Sequence, residues 1–350
     1  MVVRGETLRE RVALRTRLAP VPAFESLAGM ALSGALIAGV RLGLFEELAR
    51  RPATAEELAS RLSLRADSTR LLLDGIQALG YLRRRRGRYV PTGRARRWLL
   101  SASPRSVAHF VAGHQDYWRW WASLPDVARG GTVVDHHTAA ADDPYWREYI
   151  MGQYELARFS APELAAALPV PDGARRVLDV GGGHGWFAAQ LCRRHPGLRA
   201  TVVDLPGSAA VGRDIIRTAG YGHLVEHREG DARSADFGSD YDVALCLNLI
   251  HHLQPDEITA LFRRIHAALR PGGVIAVLDL FSDSGRPHSR PHRPDAAASC
   301  LGLLFHLTSG ASLYSPGQLT EWLRDAGFTP PRRTPLRRIP AQSLYAATAT

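Results

Sequence analysis

The chain of 350 residues contains no lysine. All 44 of its side chains counted as Lys or Arg are arginine, against 34 Asp and Glu, for a formal charge of +10. With abundant alanine, this bias reads as the coding habit of a GC-rich genome. The charge reads as a solvated basic surface, which argues against nucleic acid as a partner. Cysteine is scarce as well. Cys192, Cys246 and Cys300 lie far apart, in apolar surroundings and without metal-ligand spacing. A disulfide framework and a zinc ribbon are thereby excluded, no metal is implied, and three buried free thiols in a cytoplasmic protein are expected. No uninterrupted apolar run has signal length. The apolar stretch from Leu27 to Leu44 is broken by Gly, Ser and Arg41, which predicts a buried helix and no membrane contact. Repeats and low-complexity arrays are absent. What remains is a length that holds two domains and a sizeable core.

The most informative segment is Val177-Leu178-Asp179-Val180-Gly181-Gly182-Gly183-His184-Gly185. A short apolar strand runs into a glycine cluster, an amphipathic segment Trp186 to Arg194 follows, and a second apolar run, Ala200 to Val203, ends on Asp204. Glycines let backbone turn tightly and approach a ligand. An acid ending the second strand can accept hydrogen bonds from ribose hydroxyls. Gly183-x-Gly185-x-x-Ala188 also satisfies the dinucleotide fingerprint, so NAD is an alternative at this point. Later features favour S-adenosylmethionine. Gly230-Asp231 follows the third apolar run, where an acid can meet an adenine amino group. Tyr241 to Asn248 is a strand leading to paired histidines, and Leu269-Arg270-Pro271-Gly272-Gly273 launches the strand Val274 to Leu280. Together these resemble the core of class I methyltransferases. Alternation of strands and helices from Arg175 onward predicts an α/β, parallel, doubly wound sheet, with a ligand at the carboxyl ends of its strands.

The N-terminal part reads differently. Residues 1–20 form a basic arm. Thr54-Ala55-Glu56-Glu57 is a capping box, Asp67 or Ser68 caps the next helix, and Gly80 ends it. Tyr81 to Val90 reads as a hairpin with Arg83, Arg84, Arg85, Arg86 and Arg88 on it. Helix, helix, hairpin is a winged helix, here over residues 21–103. The helix from Asp67 to Gln77 is poor in base-reading side chains, so dimerisation is preferred over DNA binding. Residues 104–170 are helical and aromatic. Most of these side chains read as core, but their density before a cofactor domain at 171–350 predicts that some line a substrate pocket, with His114, Trp118, Trp146, Met151 and Tyr154 as the candidates.

As a whole, residues 20–345 resemble the small-molecule O-methyltransferases of the caffeate and acetylserotonin type. That resemblance implies a Rossmann-like class I methyltransferase domain behind a mainly helical winged-helix dimerisation domain, working as a homodimer on a small molecule. It implies S-adenosyl-L-methionine as cofactor, with Asp179, Gly181, Gly183 and Gly185 beside its methionine part. Asp204 would meet the ribose and Leu205 the adenine. Asp231 would take the adenine amino group, Ala232 would pack on the ring, and Asn248 would stand near the sulfonium. It further implies a histidine base after the fourth strand. Counting back from Pro271-Gly272-Gly273 gives His251, and counting from Asp256-Glu257 gives His252. The first register is preferred because a helix keeps its length better than a loop. In that register one of the family's two flanking acids falls on Asp279. The other falls on Leu313, which cannot orient a histidine, so His306 is a candidate replacement. The expected reaction is methyl transfer to a hydroxyl of an aromatic or polyketide-like natural product. C- or N-methylation, or a DNA-binding regulator with a degenerate domain, are the alternatives. The basic segment Arg286 to Pro294 reads as a solvated loop, or as a clamp for an anionic substrate group.

Overall fold

A computed structural model describes residues 7–16, 20–282, 296–338 and 342–350. The segment from Arg286 to Pro294 lies outside the described residues. The chain falls into two compact units, Met1–Gln115 and Asp116–Thr350, so the aromatic stretch 104–170 is divided between them.

In the first unit, Thr54 Oγ1 accepts the Glu57 amide and the Glu57 carboxylate accepts the Thr54 amide, closing the capping box that starts the helix Ala55–Arg61. The next helix, Ala66–Ala78, begins one position before the expected caps. Arg65 is its N-cap, and Asp67 sits in the first turn bonded to the Ser68 amide and to Arg65. It ends as a glycine-terminated helix should. Gly80 takes φ +77°, and the Gly80 and Tyr81 amides return to the carbonyls of Gln77 and Ile76. The hairpin β1 (Leu82–Arg85) and β2 (Arg88–Pro91) turns through Arg86 and Gly87, both at positive φ, as a two-residue connection requires. Two of its arginines are held: Arg84 by Asp74 and Arg88 by Glu57. Leu44, Phe45, Leu48, Leu58, Leu73, Ile76, Leu82 and Tyr89 form the core. The apolar helix Val21–Arg41 departs from expectation. Within this chain only Ile37 and Gly39 are buried, and Leu27 and Met30 are 70% and 61% exposed. Its apolar residues run all round the helix, more than one neighbouring face can cover. It is the one described helix long and apolar enough to cross a membrane by length and composition alone.

The second unit is built on a seven-stranded sheet. Its strands are β3 (Arg176–Val180), β4 (Arg199–Asp204), β5 (Val225–Glu229), β6 (Tyr241–Leu247), β7 (Leu269–Leu280), β8 (Arg332–Pro335) and β9 (Gln342–Thr348), in the order β5-β4-β3-β6-β7-β9-β8. The first five in sequence pair in parallel, whereas β9 is antiparallel to both β7 and β8. The all-parallel expectation is thus corrected at the last two strands. Their short connection cannot hold the crossover that parallel neighbours need. The two-residue side-chain period divides the core cleanly. Leu178, Val180, Ala244, Cys246, Ile275 and Val277 face the helices Pro255–Ala268 and Pro316–Asp325. Val177, Val243, Leu245, Ala276 and Leu278 face Tyr145–Ala167 and Trp186–Arg194. Proline opens two of these helices, at Pro255 and Pro316, and a further one, Pro206–Thr218, where a missing N–H costs nothing. Cys192 and Cys246 are buried, but Cys300 is exposed. The helix Ala296–Ser309 buries itself through Leu304 and Leu307, and Cys300 falls outside that contact.

Candidate active site

The chain leaves β3 for β4 on one side and later enters β6 on the other, so the strand order reverses between β3 and β6. That reversal opens a crevice at their carboxyl ends. Asp179, Asp204, Asn248 and Asp279 all lie at or just past strand ends on this edge.

The glycine loop is built around two carboxylates. Gly181, Gly183 and Gly185 take φ of +65°, +49° and +66°, a region side chains rarely enter. Gly182 has no such φ, but a Cβ there would lie 2.4 Å from Asp179 Cγ. Asp204 Oδ2 accepts the Gly183 amide at 2.7 Å, and Oδ1 accepts the Leu205 amide at 2.7 Å. Each oxygen keeps capacity for a further donor. Burial pushes its carboxyl above the usual range despite these bonds. Asp179 is fully buried and neither oxygen has a partner among the described residues. Burial, and then the charge of Asp204, push it up to about 8. An orphaned buried carboxylate asks for a cation or strong donor. These are the needs that an ammonium and a ribose diol would meet, so the residues present fit S-adenosylmethionine. His227 of β5 supports the loop from below, its Nε2 bonding the Gly183 carbonyl at 3.0 Å. Nothing in the sequence singled it out.

Other expected cofactor residues are partly engaged by neighbours. Asp231 is held at both oxygens by Arg233, at 2.8–3.1 Å. The Ala232 carbonyl accepts from Arg264. Leu205 packs with Trp146 and Ile150. Asn248 stands at φ +53°, a conformation asparagine tolerates, and its Oδ1 accepts from Gln342 at 2.6 Å.

The paired histidines separate in role. His251 is buried, and its Nδ1–H donates to Asp279 Oδ1 at 2.6 Å, so the register counted from Pro271-Gly272-Gly273 pairs acid and imidazole. Asp279 Oδ1 also accepts the Leu280 amide, while Oδ2 has no partner among the described residues. His251 Nε2 has no bond among the described residues. The ring stacks on Phe305, with centroids 3.7 Å apart. Phe305 therefore covers one face of the imidazole. His306, the residue next to it, bonds the Ala311 carbonyl instead. His252 has a buried, unpartnered Nδ1. Burial and the adjacent imidazoles hold its pKa well below the usual value, so it is neutral.

The expected pocket residues scatter. His114 lies in the first unit, its ring bonded to the Phe110 carbonyl. Trp146 is buried against Gly207, where a Cβ would fall 2.2 Å from its ring, and its Nε1–H donates to Ala140. Tyr154 meets His184 and Trp186 beside the glycine loop. Met151 is half-buried with Ile150 in that region, and Trp118 is half-buried in its own helix. The groups gathered around His252 are instead His136, His137 and Phe305, with Trp120, Tyr145 and Tyr149 behind His136. Trp120, Tyr145 and Tyr149 were visible as aromatic-rich sequence, but nothing marked His136 or His137. Their neighbours come from distant helices.

Comparison with known proteins places both units. Residues 151–330 match the model of a methyltransferase domain, and residues 24–101 match that of an O-methyltransferase dimerisation domain. The 3-hydroxy-5-methyl-1-naphthoate 3-O-methyltransferase of Streptomyces sahachiroi is 31% identical, over 83% of this chain and 84% of its own length. The N,N-dimethyltransferase OxyT of Streptomyces rimosus is 30% identical, over 77% and 81%. Human N-acetylserotonin methyltransferase, solved with S-adenosylmethionine, superposes with a TM-score of 0.80 over 99% of both chains at 20% identity, a likeness of fold. The chain belongs to the S-adenosylmethionine-dependent methyltransferases that carry an O-methyltransferase dimerisation domain.

Proposed function

We propose that this enzyme methylates a hydroxyl of a small aromatic or polyketide-like natural product, with His251 as general base. The observation that carries this reading is the buried His251–Asp279 pair at 2.6 Å, which leaves Nε2 as the imidazole's acceptor. When bound, S-adenosylmethionine supplies a methyl group on a positively charged sulfur, so its departure needs no acid. Asp179 would take the ammonium, Asp204 the ribose hydroxyls, and the backbone at Gly181, Gly183 and Gly185 would close on the methionine part. Leu205, Asp231, Ala232 and Asn248 would complete the cofactor site, with Arg233 yielding at least one oxygen of Asp231. His251 Nε2 would remove the proton of the acceptor hydroxyl, and Asp279 would hold the ring and stabilise the imidazolium. The Phe305 face fixes the ring plane. Positioning supplies the larger part of the acceleration, and the base contributes roughly 10²–10⁴-fold.

The naphthoate 3-O-methyltransferase supports a hydroxyarene acceptor. A homodimer is supported by the dimerisation-domain match and by the uncovered apolar face of Val21–Arg41. OxyT, an N,N-dimethyltransferase, supports N-methylation as the second reading. Turnover of hydroxylated and aminated naphthalenes by His251→Ala and His252→Ala separates the two. His251→Ala should lower hydroxyl methylation at least ~100-fold, and His252→Ala by a smaller factor. Unchanged hydroxyl turnover in His251→Ala refutes the base assignment, and amine turnover exceeding hydroxyl turnover in wild type favours the second reading.

A further inference from the structure

The active site holds more imidazole than one base requires. Next to His251 and His252 stand His136 and His137, on a short 3-10 turn, His136–Thr138. The rings touch in series, with centroids 4.1 Å apart for His251 and His252, 4.6 Å for His252 and His137, and 4.0 Å for His137 and His136. Among the described residues no three of these donors form a set that could hold a metal ion.

Their hydrogen bonding is incomplete. Among the described residues, His136 Nδ1 and Nε2, His252 Nδ1 and the Tyr145 hydroxyl are all buried without a partner. Buried polar atoms left unpaired are costly and rare, so four in one aromatic-walled cluster call for a ligand that both donates and accepts. His137 repeats the arrangement of the base. Its Nδ1 faces Asp135 Oδ1 at 3.3 Å, and the Asp135 carboxylate also caps the turn through the His137 amide at 3.0 Å. Nε2 of His137 has no bond among the described residues. The two aspartate-held imidazoles each contact His252, from two separate chain segments.

We infer that His137, held by Asp135, is a specificity-determining residue that binds a second acidic oxygen on the acceptor, so that the preferred substrate is a fused-ring arene bearing two adjacent oxygen functions. One hydroxyl is methylated at His251, and the other is held by His137 Nε2. His136, kept neutral by burial and by the adjacent His137, has one ring nitrogen to spare as a further donor or acceptor. Phe305, stacked on His251, and Trp120, stacked behind His136, wall the cluster with aromatic rings, surroundings that suit an aromatic acceptor. The inference rests on the O-methyltransferase reading above and names the substrate class of that site.

Calorimetric titration tests it. The protein is first saturated with S-adenosylhomocysteine, then titrated with 2,3-dihydroxynaphthalene or with 2-naphthol, for wild type, His137→Phe and Asp135→Asn. Wild type should bind the diol at least tenfold more tightly than the mono-ol. The diol's advantage should fall below about twofold in His137→Phe and to an intermediate value in Asp135→Asn. Wild-type affinity for S-adenosylhomocysteine in each variant shows that the fold is intact. Equal binding of the two arenes by wild type, binding of neither, or a preference retained in His137→Phe overturns the inference and leaves the methyltransferase reading standing. Absence of S-adenosylhomocysteine binding in wild type overturns that reading as well.

Discussion

Replacing Asp279 with asparagine separates the charge of the active-site pair from its shape. The amide carbonyl that Asp279→Asn introduces can still accept from His251 Nδ1 and from the Leu280 amide, the two bonds that Asp279 Oδ1 accepts at 2.6 and 2.7 Å. The new amide nitrogen would occupy the position of Oδ2, which touches no donor, so no existing bond is lost. What disappears is the negative charge facing the imidazolium that forms as the acceptor loses its proton. A hydrogen bond to a charged group contributes about 1.5–3 kcal/mol, against about 0.5–1.5 kcal/mol for a neutral one. The difference of roughly 1–1.5 kcal/mol predicts a kcat about tenfold lower. The effect should fall on kcat more than on KM, because the charge matters after the proton has moved. The assay compares methylation of 2-naphthol with that of 1-nitro-2-naphthol, which is already ionised at neutral pH. The loss should be about tenfold for the first and near unity for the second. Equal losses for both acceptors would mean that Asp279 only supports local structure, and the base mechanism would be wrong.

Three further outcomes follow from the geometry. Asp179 is pushed up to about 8 by burial and by Asp204, so the folded state holds a proton that the unfolded chain releases near pH ~4. Its contribution to stability is therefore full below pH ~4 and lost as pH rises to about 8; the unfolding temperature of cofactor-free protein should slope downward across that window, and Asp179→Asn should flatten the slope. Gly182→Ala places a methyl group 2.4 Å from Asp179 Cγ, which overpacking of this kind makes about 1–3 kcal/mol less stable by urea unfolding; an unchanged midpoint would show that the loop shifts freely. Leu27→Arg puts a charge on the uncovered apolar face of Val21–Arg41 and should shift the sedimentation equilibrium toward monomer; an unaltered dimer would move the interface elsewhere.

Much of the molecule could be read from the chain alone. A short apolar run leading into a glycine cluster, a second ending on Asp204, and a capping box at Thr54 are local signals with local causes. They produced the strands, the cofactor loop and the winged-helix order without any long-range information. Counting from Pro271-Gly272-Gly273 even selected the histidine that meets Asp279, because the intervening helix transmits register rigidly. Cys300 and the helix Val21–Arg41 were misjudged for one reason. Apolar composition says that a segment wants cover, but not whether its own chain supplies it.

The cluster around His252 is where the tertiary structure decided. His136 and His137 carry no pattern, and their partner His252 lies more than about a hundred residues away, on a turn that also packs beside the helix Ala296–Ser309 and its Phe305. Trp146 and Tyr154, pocket candidates by sequence, pack against Gly207 and beside the glycine loop. A backbone that must bend around a cofactor leaves its mark in glycines and strand ends, which sequence displays. Side chains that surround a substrate need only meet in space, and that meeting is set by the fold.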